Sequence, residues 1–110
     1  MQKPFNSQYY EAIIQLRPAN EGIFNYVISM VENRKNVFVS KILAKKFGYD
    51  LYISDIRYAL AIGKKLKTKF NGTLKTSREL YSYDRQTSKK KYRVVVCFRL
   101  PEKNEEQEDF

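Results

Sequence analysis

The sequence holds no histidine and a single cysteine, Cys97. Histidine-based acid–base catalysis, histidine-dependent nucleophile triads and histidine-containing metal sites are therefore excluded. One thiol builds neither a thiolate zinc site nor an internal disulfide. In the second half of the body, Asp50, Asp55, Glu79 and Asp84 remain as carboxylates for chemistry. Two of them could hold Mg²⁺, as in a metal-dependent nuclease using Asp50 and Asp55. Asp55 also stands at a helix start and Asp84 at a turn, where a cap and a turn residue account for them. Cys97, within an apolar strand, reads as a small, partly buried hydrophobe. The expectation is a protein that is not an enzyme, with no metal, no cofactor and no small-molecule substrate.

What the sequence has in abundance is cations. Lys64, Lys65, Lys67 and Lys69 crowd one segment, and Arg85, Lys89, Lys90, Lys91 and Arg93 crowd another, with Lys75 and Arg78 between them. Flexible basic side chains suit phosphate contacts, which give affinity without reading bases. Tyrosines interleave with them: Tyr81, Tyr83 and Tyr92 around the second segment, Tyr49 and Tyr52 further upstream. Such rings either stack on unpaired bases or cover the edge of a sheet with the hydroxyl in water. No RNP-type aromatic motif, Gly-x-x-Gly clamp or cysteine finger is present.

The net charge is +9, but it is uneven. Residues 102–110 carry five acids and one base, so residues 1–101 carry +13. A body this basic calls for a polyanionic partner. The acidic stretch reads as a disordered tail, either a solubilising terminus or a linker. Alternatively it folds back on the basic body and competes with RNA.

These residues need a scaffold, and periodicity supplies one. Tyr9–Arg17 alternates with period two and reads as a strand ended by Pro18. Asn20 caps a helix running to about Asn33, with Ile23, Phe24, Val27, Ile28 and Val31 at helical spacing. Val37–Lys46 reads as a second strand, although Ser40–Phe47 fits a helix as well. Gly48 makes a tight connection to a short antiparallel third strand, Asp50–Ile53. Ser54 or Asp55 caps a second helix, whose apolar stripe is Ile56, Ala59, Leu60, Gly63, Leu66 and Phe70. Gly63 in that stripe costs roughly 1 kcal/mol against alanine, tolerable if it lets the helix sit close to a sheet. Asn71-Gly72 stops the helix. Thr73–Asp84 and Lys91–Leu100 read as strands four and five, with Gln86–Lys90 as the loop between them.

The order β-α-β-β-α-β-β predicts an α+β, two-layer sandwich, with helices on one face of a mainly antiparallel sheet. It is a ferredoxin-like βαββαβ order with an extra C-terminal strand. The expected organisation is a single basic domain over 1–101 and the acidic tail over 102–110. No apolar run approaches the ~20 residues of a membrane span, and Met1–Tyr10 has no signal-peptide pattern. A soluble, cytoplasmic protein is expected.

Gly48-Tyr49-Asp50-Leu51-Tyr52-Ile53-Ser54, then Ala59, then Lys75-Thr76-Ser77-Arg78-Glu79-Leu80 and Asp84 form a spaced pattern, with Ala12–Arg17 before it. This pattern resembles the Nmd-three family of large-ribosomal-subunit export and assembly factors, in its archaeal form, over roughly Tyr10–Pro101. Gly48, Asp50, Tyr52, Ser54, Lys75 and Ser77 match its motif. The resemblance implies binding to the large ribosomal subunit, to its rRNA or its ribosomal proteins, near its tRNA sites. It supplies no catalytic residues. The family's paired Cys-x-x-Cys zinc motifs and the leucine-rich export signal of its eukaryotic members are missing here, so the resemblance is to one domain, and export is not implied. The competing reading is a protein-interaction module that docks on a ribosomal protein or assembly factor.

Overall fold

The computed structural model describes residues 9–84 and 89–101, and at 80–84 and 89–91 the backbone path alone. Seven elements follow one another: β1 (Ala12–Arg17), α1 (Glu21–Glu32), β2 (Val39–Lys45), β3 (Gly48–Ile53), α2 (Ile56–Phe70), β4 (Thr73–Asp84) and β5 (Lys89–Arg99). The predicted order holds throughout. The segment that fitted either period is strand β2. The predicted lead-in Met1–Gln8, the centre of the last loop and the acidic tail lie outside the described residues.

The helix ends follow the expected chemistry. The Asn20 side chain accepts from the Ile23 N–H at 3.0 Å, and Asp55 accepts from the Tyr58 N–H at 3.0 Å. Glu11, just ahead of β1, accepts from the Ile56 N–H at 3.0 Å, so a second orphan donor of α2 is satisfied from across the fold. Ser54, the other candidate cap, instead accepts from the Phe38 N–H at 2.9 Å and holds the start of β2 against the end of β3. Asn71 ends α2 in the left-handed conformation, φ 57°.

The five strands form one sheet in the order β2-β3-β1-β5-β4. All pairings are antiparallel except β1 with β5, where Ala12–Arg17 runs parallel to Val94–Arg99. The extra strand β5 therefore does not extend an edge. It enters between β1 and β4 and takes a near-central place, a placement that element order alone does not fix.

Both helices pack on one face of this sheet. Ala12, Ile14 and Leu16 of β1, Leu51 and Ile53 of β3, and Val94, Val96 and Phe98 of β5 meet Ile23, Val27 and Val31 of α1 and Ala59, Ile62 and Leu66 of α2 in a single core. Ile62 is fully buried and Leu60 only half-buried, so the core-facing stripe of α2 is rotated slightly from the predicted one. Gly63 lies against the sheet as expected: a Cβ there would stand 2.8 Å from Val96 Cγ1 and 3.1 Å from Leu74 Cδ1. Two helices, one sheet and a core between them make the two-layer α+β sandwich. No helix among the described residues is long and apolar enough to cross a membrane.

The β4–β5 ladder begins earlier than the sequence pattern indicates. Lys89 and Lys90 pair with Asp84 and Tyr83 as strand residues, not as loop, ahead of the expected strand residue Lys91, which pairs with Ser82. The reason is geometric. β1 stops pairing at Val94, so the outer half of the hairpin extends past it and lacks the core contact that produces alternation.

Candidate nucleic-acid interface

The predicted basic residues do not converge on one patch. Lys64, Lys65, Lys67 and Lys69 are all exposed on α2, and none makes an ion pair among the described residues. Of these four, Lys69 alone touches rings among the described residues, its Nζ 5.4 Å from the Tyr26 centroid and 5.7 Å from that of Phe70. Tyr26, Lys64, Lys65, Thr68 and Lys69 line a cleft of about 310 Å³. A second cleft, of about 480 Å³, lies between the C-terminal end of α1 and the first turns of α2, lined by Met30, Arg34, Asp55, Arg57, Tyr58, Ala61 and Lys65. Lys65 belongs to both, so the two clefts form a basic track along the helix layer. Arg34 is anchored there, its Cζ 4.7 Å over the Tyr58 ring, while the Tyr58 hydroxyl donates to the Met30 carbonyl at 2.9 Å.

Arg34 and Arg57 were not among the predicted contacts. The split β-α-β order carried the signal. It makes the two helices antiparallel neighbours, which sets the residue after α1 beside the first turn of α2.

Lys75 and Ser77 are exposed on β4, opposite Cys97 and Val95, and so lie on the sheet face away from the helices. Arg78, on the helix side, sits with its Cζ 5.6 Å over the Tyr92 ring and lines a small cleft with Leu60, Thr76 and Val94. Lys89–Lys91 lie on the extended hairpin, and Arg85 lies outside the described residues. Arg93 is half-buried and committed to Tyr10. It donates from Nε to the Tyr10 carbonyl and from Nη1 to the Tyr10 hydroxyl, both at 3.2 Å, with its Cζ 3.9 Å from the ring centroid.

The motif residues of β3 have structural work. Gly48 faces the end of β1 so closely that a Cβ would lie 1.9 Å from the Leu16 carbonyl oxygen. Asp50, only 4% exposed, is clamped by Arg17 Nη2 at 2.9 Å and Lys45 Nζ at 3.1 Å. The Arg17 contact is ionic without hydrogen-bond alignment, which leaves Asp50 Oδ1 with no hydrogen-bond donor. Arg17 Nη1 donates instead to the Leu16 and Tyr49 carbonyls, at 3.1 and 3.4 Å. Tyr52 lies edge-on to Tyr10, ring centroids 4.8 Å apart. Asp50 as ion-pair partner, Asp55 as cap and Ser54 as donor-satisfier thus each have a role in holding the fold. Cys97 is half-buried on the open face.

The family model described as NMD3, second domain, matches residues 9–100. A search of curated proteins gives no match.

Proposed function

The chain belongs to the NMD3 family, and from that premise we propose that it is a non-catalytic, RNA-binding domain that docks on rRNA of the large ribosomal subunit in the cytoplasm. One observation carries the reading: the four α2 lysines are exposed and, among the described residues, without acidic partners. Lysines left this way on a folded surface hold their charge ready for phosphates. Arg34 and Arg57 extend the same track, and their planar guanidinium groups add directed donors. Lys89, Lys90 and Lys91 lie on the extended hairpin as a second set of phosphate contacts.

The test is binding of the full chain to purified large subunits and rRNA fragments across a salt series. With about five phosphates neutralised, log K against log salt has a slope of about −4. Charge reversal at Lys89, Lys90 and Lys91 weakens binding to all RNA sequences alike. Binding indifferent to salt and to that change overturns the proposal.

The outer edge of β4, which has no strand beyond it among the described residues, favours a second reading, strand addition by a ribosomal protein or assembly factor. Capture of that partner surviving nuclease treatment supports it over the first.

A further inference from the structure

The open face of the sheet carries a row of rings and cations that the helix-layer reading does not use. Lys41 on β2 places its Nζ 4.9 Å from the centroid of Tyr52 on β3. Tyr52 meets Tyr10, just before β1, at 81°. Tyr10 lies under Arg93 of β5. The row Lys41–Tyr52–Tyr10–Arg93 thus crosses the sheet from β2 to β5, held in line by the pairings of Lys41 with Tyr52 and of Tyr52 with Ile13. Both rings are half-buried. Half-buried Ile13, Val95, Cys97 and Leu43 form an apolar floor on the same face.

We propose that this face is a stacking platform for the unpaired bases of a single-stranded RNA segment. Three features argue for that occupant. Arg93 is tied to Tyr10 by two hydrogen bonds, so the platform is ordered before any ligand arrives. The charge is complementary to phosphate: among the described residues, Arg17, Lys41, Lys45, Lys75, Arg93 and Arg99 share the face with Asp50 and Glu79, and Arg17 and Lys45 already neutralise Asp50. Finally, Lys41 is exposed, and an exposed ammonium over a ring is held more weakly than a stacked base. A base displaces it, and the freed ammonium turns to the adjoining phosphate. A broad sheet face does not enter the deep, narrow major groove of A-form RNA, so duplex is not the fit. The site lies opposite the α2 lysines and stands without them.

The experiment uses the full chain, a labelled uridine oligomer of about ten nucleotides and an RNA duplex of about 16 base pairs. Tyr52→Leu and Tyr10→Leu each weaken oligomer binding roughly ten-fold and leave duplex binding unchanged, while Tyr52→Phe retains oligomer binding. Lys64→Ala with Lys65→Ala acts on the duplex. Because a tyrosine change can unfold the sheet, bromouridine crosslinking of the unaltered protein gives a second readout, with adducts expected at Tyr10 or Tyr52. Adducts confined to α2, or normal oligomer binding by Tyr52→Leu, overturn the proposal and leave the helix-layer reading intact. A protein occupant overturns it too: a second copy, seen as concentration-dependent mass, or residues 102–110, whose removal would expose Tyr52.

Discussion

On the open face of the sheet, Arg17 and Lys45 close on Asp50, Arg93 lies on Tyr10 and Lys41 on Tyr52. On α2, Lys64, Lys65 and Lys67 meet no acid and no ring among the described residues. Both surfaces are basic, but only the first has woven its charges into the fold. Charges that already have partners contribute to stability and shape. Charges that lack them contribute to long-range attraction and to salt-dependent binding. The difference separates two effects of substitution, on folding and on affinity, that a net charge of +9 cannot distinguish.

The largest expected effect is on α2. Replacing Lys64, Lys65, Lys67 and Lys69 by alanine lowers affinity for duplex RNA about a thousand-fold at physiological salt if all four meet phosphates. Thermal unfolding of the same variant stays nearly unchanged, as is usual for exposed positions. A variant that unfolds early would show that these lysines hold the fold, and the contrast would fail.

The open face should give the opposite result. Asp50→Ala leaves Arg17 and Lys45 without their counter-charge and costs about 3 kcal/mol of stability by urea denaturation. Lys45 is partly exposed and recovers hydration, which keeps the loss toward the low end. Duplex affinity of the folded fraction is expected to hold.

Smaller effects test how firmly α2 is placed. Gly63→Ala gains roughly 1 kcal/mol of helix propensity but drives a methyl into Val96 and Leu74. Overpacking of about 1–3 kcal/mol outweighs that gain, so calorimetry should show a net loss near 1 kcal/mol. Asp55→Ala removes the cap on the Tyr58 N–H and costs about 1 kcal/mol. A larger loss there would mean that Glu11 does not hold the Ile56 N–H by itself.

The layered fold was legible because the core writes itself in periods. Ala12, Ile14 and Leu16 alternate, and Ile23, Val27 and Val31 recur by turns. Asn20 and Asn71 marked helix ends by their own chemistry. The fold was less legible where no core lies beneath the chain, as at Lys89 and Lys90, and where position depends on a distant pairing, as with β5. The candidate site divided the same way. The α2 lysines stood out by crowding. The bond of Arg93 to Tyr10 joins residues 83 apart, and local pattern carries no trace of it. Lys41 and Lys45, on an edge strand, became site residues only through their register with β3.

The place of β5 bears on how the domain comes to fold. Ala12 of the first strand finds its parallel neighbour in Val94, 82 positions later. Until that last strand is synthesised, one side of β1 has no partner, and Leu74 and the inner surface of α2 lack the Val96 and Phe98 they pack against. Closure by a strand so remote carries a loop-entropy cost before any contact rewards it, so folding is expected to be slow for the domain's size. A nascent chain stalled before Val94 would present an apolar, unpaired edge to its surroundings, the form in which this domain is most prone to aggregate.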